Sequence, residues 1–170
     1  MLIPFVHSIL GAVLPSVAND TDEIKELAIK TNTLLEKLIN VTDQEIMFDE
    51  LLQQISFQVC SKFVHTRLAA LRWAFLLYDK YPQSLVDNLE NLFAITLTDT
   101  SSEVLTLCLD LMARIGQNEE YFLKLMECII SIFNRDKSLL EKKGTSVLRQ
   151  LSLFFTPTKV SRSSSVFCRY

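Results

Sequence analysis

Apolar side chains recur along most of this chain every three or four residues, a spacing that places them on one face of an α-helix. The pattern is clear in residues 20 to 40. The apolar positions there are Ile24, Leu27, Ala28, Leu34, Leu35 and Leu38. No segment alternates in the way an exposed strand does. The pattern predicts helices near 2–17, 21–40, 43–61, 64–80, 83–98, 101–115 and 119–134, and a broken helix near 136–155.

Several residues mark where these helices begin and end. Pro82 cannot continue the preceding helix, and Gly116 and Gly144 follow apolar segments where a left-handed cap fits. Three pairs with the spacing of a capping box predict helix starts. They are Asp20 with Glu23, Thr42 with Glu45, and Thr100 with Glu103. The connections between the predicted helices are short, so neighbouring helices should run antiparallel.

A weak internal repeat organises the helices. A pair at the opening of a helix, an apolar or β-branched residue followed by a variable one, recurs at separations of 42, 38 and 44 residues. The four pairs are Ile24-Lys25, Thr66-Arg67, Val104-Leu105 and Leu148-Arg149. These separations are near the ~40–47 residue period of HEAT and armadillo arrays. The sequence therefore predicts an all-α fold, a HEAT- or armadillo-like α-solenoid of about four antiparallel helix pairs over residues 1–155.

Composition and charge exclude several other classes. Only 3 glycines and 4 prolines occur in 170 residues, which argues against collagen and turn-rich β-sandwiches. The 17 basic and 20 acidic side chains give a net charge of −3, so a nucleic-acid partner is not expected. Residues 156–170 differ from the rest because they are rich in serine and carry basic residues, and we expect a disordered tail there.

The beginning of the chain leaves one alternative open. Residues 2–14 are apolar and precede Ser16-Val17-Ala18, a pattern that resembles a signal-peptide cleavage site. Sequons at Asn19 and Asn40 would be glycosylated in a secreted protein, although each also fits a capping role at a helix start. No basic residue precedes the apolar stretch, and no apolar run is long enough to cross a bilayer. A small secreted or lumenal helical bundle is the alternative to a solenoid.

No catalytic or metal-binding motif is present. The four cysteines are widely spaced and lie near no histidine pair, so we expect free thiols, no metal and no cofactor. The predicted functional residues are instead structural or interfacial. Arg67 and Arg72 interrupt the most apolar helix and are expected to line a partner groove. Trp73, Leu107 and Leu111 are expected to pack in the core.

The order of several segments resembles one known family. The segments are residues 65–73 (HTRLAALRW), Tyr78 to Pro82, Leu92-Phe93 and residues 101–104 (SSEV), flanked by residues 7–15 (HSILGAVLP), residues 121–126 (YFLKLM), Leu139 to Glu141 and Leu148 to Leu151. In this order they resemble the middle of the Vac-fourteen family, the HEAT-repeat scaffolds of the PIKfyve lipid-kinase complex. The last fifteen residues match nothing in that family, and no partner-binding residue can be carried over.

The resemblance implies a scaffold rather than an enzyme. Family members gather a phosphatidylinositol 3-phosphate 5-kinase and its opposing phosphatase on endosomal or vacuolar membranes, so that phosphatidylinositol 3,5-bisphosphate synthesis is controlled. The implied partners are this kinase and phosphatase, with possible self-association. The implied location is cytoplasmic, peripheral on the endosome or vacuole membrane. Members are several times longer than this chain, which therefore resembles a central fragment. A transport-type adaptor solenoid is a second alternative.

Overall fold

The computed structural model describes residues 2–152, apart from the side chains of Gln150 and Leu151. All the regular secondary structure in this part of the chain is helical, which confirms the predicted all-α class. A short 3-10 helix, Ile3–Phe5, precedes nine α-helices. These are α1 (Val6–Ser16), α2 (Asp22–Val41), α3 (Phe48–Gln58), α4 (Val64–Lys80), α5 (Pro82–Val86), α6 (Leu89–Thr96), α7 (Ser102–Gly116), α8 (Glu119–Arg135) and α9 (Lys137–Ser152). The predicted tail, 156–170, lies outside the described residues.

The helices form four pairs stacked in two layers. The pairs are α1 with α2, α3 with α4, α5 and α6 with α7, and α8 with α9. In the second layer α2 packs on α4, α4 on α7, and α7 on α9. In the first layer α1 packs on α3, and α6 on α8. This arrangement confirms the α-solenoid of four helix pairs, in which the core lies between the layers and between successive pairs.

The turns that lead into three of the four second-layer helices, α2, α4 and α7, share one hydrogen bond. Asn19 Oδ1, Ser61 Oγ and Asp99 Oδ1 each accept the backbone N–H two residues later, at 2.9, 3.3 and 2.8 Å. Each of these residues precedes its helix by three positions. The side chain satisfies a backbone donor that the helix leaves free. The repeat is therefore visible in the hydrogen bonds of these turns as well as in the spacing of the apolar residues.

The predicted capping boxes are wrong. The residues that cap α2, α3 and α7 are Thr21, Met47 and Ser101, and none of them makes a side-chain capping bond. The second sequon does not mark a helix start either, because Asn40 lies in the last turn of α2. At the starts of α2 and α7 the hydrogen bond is made instead by Asn19 and Asp99, which lie two positions before the capping residues.

Two predicted helices differ in extent because side chains compete for backbone groups. The helix predicted at 43–61 begins only at Phe48, and Thr42 Oγ1 accepts the N–H of Gln44 in the turn before it. The helix predicted at 83–98 is divided into α5 and α6. At the division, Asn88 Nδ2 donates to the Ser84 carbonyl at 2.9 Å. In a continuous helix this carbonyl would accept the backbone N–H of Asn88 instead, so the side chain competes with the helix.

The glycine caps are also wrong, since no residue in the described part of the chain has a positive φ. Gly116 ends α7 in a right-handed turn, and Gly144 lies inside a continuous α9. A Cβ at Gly144 would lie 2.9 Å from Leu140 Cδ1, the end of an exposed and flexible side chain that can rotate away, so nothing in the structure requires glycine here.

The prediction that Leu148-Arg149 opens a helix is wrong, because α9 begins at Lys137. Ile24, Thr66 and Val104 are each the third residue of their second-layer helix, as the repeat predicts. The third residue of α9 is Leu139, not Leu148. Leu139 is 5% exposed and Thr66 and Val104 are fully buried, so this position faces the core from the second pair onward.

Candidate partner-binding face

Helix α4 lies in the middle of the second layer, with α2 on one side and α7 on the other. His65, Leu68, Ala69 and Arg72 have spacings of three, one and three residues and therefore share one face of α4. This face separates two surface grooves. We call the two grooves and the helix face between them the α4 face.

The first groove lies between α2 and α4 and has a volume of about 200 Å³. Its lining combines apolar side chains with charged and polar ones. The lining residues are Val17, Lys25, Ile29, Asn32, Thr33, Glu36, His65, Leu68, Ala69 and Arg72.

The second groove lies between α4 and α7 and has a volume of about 370 Å³. It is lined by Leu68, Arg72, Ser102, Glu103, Thr106, Leu107 and Asp110. The two grooves thus share Leu68 and Arg72, and Arg72 is exposed between them. Arg72 is therefore placed where it can pair with an acidic group of a partner bound in either groove. The carboxylates of Glu103 and Asp110 in the second groove can pair with a basic group of such a partner.

Arg67, the other arginine predicted to line a groove, lines neither of these. Its side chain is only 11% exposed, and its guanidinium forms a two-point ion pair with Asp99, which precedes α7. Nε lies 2.6 Å from Oδ2, and Nη2 lies 2.9 Å from Oδ1. The sequence showed an arginine in an apolar helix, but the buried carboxylate that it pairs with is thirty-two positions away. Arg67 therefore joins two repeats.

Trp73, next to the exposed Arg72, is fully buried. Its indole Nε1 donates to Asn32 Oδ1 at 2.8 Å, and Asn32 Nδ2 donates to Glu36 Oε1 at 2.7 Å. Asn32 and Glu36 both line the first groove. A hydrogen-bonded chain thus connects the core to the groove wall. Trp73 itself was the one usable signal for this chain of bonds in the sequence, since a buried indole N–H requires an acceptor.

The other two predicted core residues have different surroundings. Leu111 is fully buried. Leu107 is half-buried and lines the second groove, where it supplies apolar surface beside Arg72.

Lys80, at the end of α4, determines how α4 sits against α2. Its ammonium group donates to the backbone carbonyls of Ile39, at 2.5 Å, and of Thr42. These carbonyls belong to the C-terminal end of α2, where a positive charge is favourable. The contact joins the C-terminal ends of the two helices that form the first groove, and the sequence did not indicate it.

The thiols of the described part of the chain are poor nucleophiles where they are buried. Burial raises the pKa of Cys108 to about 12, with a smaller opposing effect from its hydrogen bond to Thr96. Burial also raises the pKa of Cys128 to about 12. Both are protonated at neutral pH. In residues 2–152 no three His, Cys, Asp or Glu side chains are grouped as metal ligands.

The fold and this face define a class of protein: an α-solenoid with a grooved, mixed-charge surface, of the kind that binds other macromolecules. None of the helices described is long and apolar enough to cross a membrane.

Comparison with curated proteins identifies two named relatives of this chain. The chain is 27% identical over 167 residues to the protein named "Protein VAC14 homolog" of Arabidopsis thaliana, a match covering 96% of the chain and 22% of that protein. It is 23% identical over 181 residues to "Vacuole morphology and inheritance protein 14" of Saccharomyces cerevisiae, covering 100% of the chain and 21% of that protein. These matches confirm the resemblance to the Vac-fourteen family. The match to the yeast protein covers the last fifteen residues too, so the expectation that these residues match nothing in the family is wrong.

The chain spans about a fifth of the length of these curated relatives. No family model matches the chain. No solved structure matches it either.

Proposed function

We propose that this chain is a non-catalytic scaffold segment that acts in vacuole- or endosome-associated processes. The similarity to the two curated relatives over nearly the whole chain carries the proposal, and one of them is named for vacuole morphology and inheritance. The α-solenoid supports it, because stacked helix pairs present a long surface for protein contacts.

The finer form of the proposal comes from the family resemblance. In it, the chain helps to hold a phosphatidylinositol 3-phosphate 5-kinase together with the opposing phosphatase, and so controls phosphatidylinositol 3,5-bisphosphate synthesis. The α4 face is the contact surface in this proposal. Its grooves expose Arg72 and Leu107 beside carboxylates, a mixture of apolar and charged groups that is common at protein interfaces.

A segment exchange in yeast tests the proposal in the context of a whole protein. The part of the yeast relative that matches this chain is replaced by this chain, and a deletion of the same part serves as the negative control. We expect the exchanged protein to restore vacuole morphology and phosphatidylinositol 3,5-bisphosphate, whereas the deletion does not. Failure of a stably expressed exchange protein to restore either one contradicts the proposal.

The contact surface is tested with two charge reversals. Arg72→Glu in the exchanged protein should reduce co-purification of the kinase or the phosphatase. Lys142→Glu, an equally exposed reversal on α9, should leave co-purification unchanged. Equal loss in both variants, or in neither, shows that the α4 face is not the contact surface.

A further inference from the structure

Two neighbouring helices of the α4 face carry matching stripes of side chains. Each stripe has an apolar residue between two ionisable ones, with spacings of three and four residues that keep the stripe on one face of its helix. The ionisable residues are basic in one stripe and acidic in the other. We call them the α4 stripe, which is His65, Leu68 and Arg72, and the α7 stripe, which is Glu103, Leu107 and Asp110.

The helices that carry the stripes pack on each other and run parallel, because ion pairs join their like ends. Near the start of both helices, Arg67 of α4 pairs with Asp99 just before α7, at 2.6 Å. Near their ends, Asp79 of α4 pairs with Arg114 of α7, at 2.7 Å. Corresponding positions of the two helices therefore lie level with each other.

The ionisable residues of the two stripes occupy corresponding positions. His65 and Glu103 are each the second residue of their helix. Arg72 and Asp110 are each the ninth. A basic side chain of α4 is therefore level with an acidic side chain of α7 at two places, which are about 10.5 Å apart along the helices.

The exposed charges of the stripes are not neutralised within the described part of the chain. Other exposed charges are paired between helices, as Lys124 of α8 is with Asp87 at 2.7 Å. Among residues 2–152, no ion pair involves Arg72, Glu103 or Asp110, and all three are exposed. These charges therefore remain available to a ligand.

Leu68 and Leu107 form an apolar floor between the two levels of charge. Both are half-buried, pack against the core and line the second groove, which has a volume of about 370 Å³. A groove between two helices can accept the apolar side chains of a third. The groove is internal to the second layer, because α2 packs on α4 and α9 packs on α7.

The distance between the two levels selects a helix as the ligand. Residues seven apart on an α-helix are about 10.5 Å apart and lie on nearly the same face, so one flank of a helix can meet both levels. An extended segment covers this distance in about three residues, and residues three apart in a strand point to opposite faces. Only the helix repeats one charge toward one stripe.

We propose that the groove between α4 and α7 binds an amphipathic helix of a partner protein. The apolar side chains of this helix pack on Leu68 and Leu107. Acidic side chains on one flank meet the α4 stripe, and basic side chains on the other flank meet the α7 stripe. The proposal rests on the α4 face as the contact surface of the proposed function, and it adds the chemical class of the partner. Charge complementarity of this kind determines which helix binds and in what position.

A designed peptide tests the proposal with the purified chain. The probe is a fluorescein-labelled helix of three heptads, about 21 residues, with Leu at position a, Ala at d, Glu at g and Lys at e. It can lie in the direction that places its Glu flank on the α4 stripe. We expect saturable binding by fluorescence polarisation. A peptide of the same composition, with Glu and Lys mixed on both flanks, should bind at least about tenfold more weakly.

A second control peptide tests whether the ligand must be helical. It carries Pro at the outward position f of the middle heptad, which breaks the helix and leaves the flanks unchanged in sequence. We expect its binding to be weaker by at least about tenfold. Equal binding of this peptide assigns the groove to an extended segment and overturns the proposal.

Reversing the charge of each stripe tests the two flanks separately. The double variant His65→Glu/Arg72→Glu should bind the probe at least about tenfold more weakly, and it should bind a peptide with Lys on both flanks more tightly than wild type does. Glu103→Lys/Asp110→Lys should have the same effects with a peptide that has Glu on both flanks. Lys142→Glu, exposed on α9, is the matched control and should bind the probe as wild type does. Circular dichroism establishes that each variant is folded.

Three further results overturn the proposal. They are no saturable binding of the probe up to about 1 mM, equal binding of the mixed-charge peptide, and folded stripe variants that do not gain the exchanged peptides. The assay contains only the chain and a peptide, so these results leave the scaffold role to be decided by the exchange in yeast.

Discussion

Arg67 of α4 and Asp99 of the turn before α7 hold the second and third helix pairs together. Besides the two contacts with Asp99, the guanidinium donates through Nη1 to the carbonyls of Ser61 and Lys62, at 2.9 and 3.2 Å. Asp99 also accepts the N–H of Ser101. The ion pair is therefore buried with its polar atoms satisfied, and it links the turn before α4 to the turn before α7. Geometry of this quality is what a buried ion pair requires.

Removing Asp99 should be costly. Asp99→Ala leaves the Arg67 charge buried without its partner, and we expect a loss of about 3–5 kcal/mol in the free energy of unfolding, measured by urea denaturation. Glu26→Ala is the control, because its ion pair with Lys30 is exposed and should contribute less than about 1 kcal/mol. Similar losses in both variants contradict the bridging role.

Substitutions of Trp73 and Arg72, adjacent residues of α4, should differ greatly in their effect on stability. Trp73→Ala removes a fully buried indole and should cost about 3–5 kcal/mol. Arg72→Glu changes an exposed side chain, so the melting temperature should hardly change. Thermal melts followed by circular dichroism at 222 nm, the usual helix wavelength, measure both. A comparable loss in Arg72→Glu shows that α4 is buried on all sides, as in a closed bundle.

Asn32 should stabilise the fold through its hydrogen bond with the Trp73 indole. Asn32→Ala leaves the Trp73 N–H buried without an acceptor, and we expect a loss of about 1–3 kcal/mol in the free energy of unfolding. The emission of Trp73, the only tryptophan, reports on the same site. Asn134→Ala, at an exposed position, is the matched control and should change stability by less than about 0.5 kcal/mol. If the two variants are equally stable, the hydrogen bond contributes nothing to the fold.

Stability should fall in mild alkali because of the buried thiols. Cys108 and Cys128 ionise near 9 when exposed by unfolding, whereas burial holds their pKa at about 12 in the folded chain. Between these values the folded state binds more protons than the unfolded state, so the free energy of unfolding decreases as pH rises above about 9 and is unaffected by these groups below it. Urea midpoints measured under reducing conditions between about pH 8 and pH 10 test this.

The double variant Cys108→Ala/Cys128→Ala is the control for the alkaline effect. Its midpoint should decline less over the same pH range, even if it is less stable at neutral pH. The range stops near pH 10 because burial also raises the pKa of Tyr78 and of Tyr81 above their usual 10, so ionisation of these tyrosines in the unfolded chain adds a decline of the same sign from about that pH. An unchanged slope in the double variant assigns the decline to other groups.

The sequence by itself determined the helical class, the number of helix pairs and the positions of most helices. These properties depend on the local spacing of apolar residues, and the short connections leave antiparallel neighbours as the simplest arrangement. Ile24, Thr66 and Val104 show how far the pattern reaches, because the repeat placed each of them at the same helix position. The pattern failed at Leu148 because the last repeat is shorter than the spacing of the earlier ones predicted.

Only the tertiary structure decided which polar residues serve the fold and which remain available to a partner. Arg67 and Arg72 look alike in sequence, five residues apart in one helix. Asp99 neutralises the first from another repeat, whereas Arg72 projects between two grooves. Contacts of this kind join residues that are 32 to 41 positions apart, as Trp73 with Asn32 and Lys80 with the end of α2 also show. They depend on how the pairs stack, and no local spacing encodes that geometry.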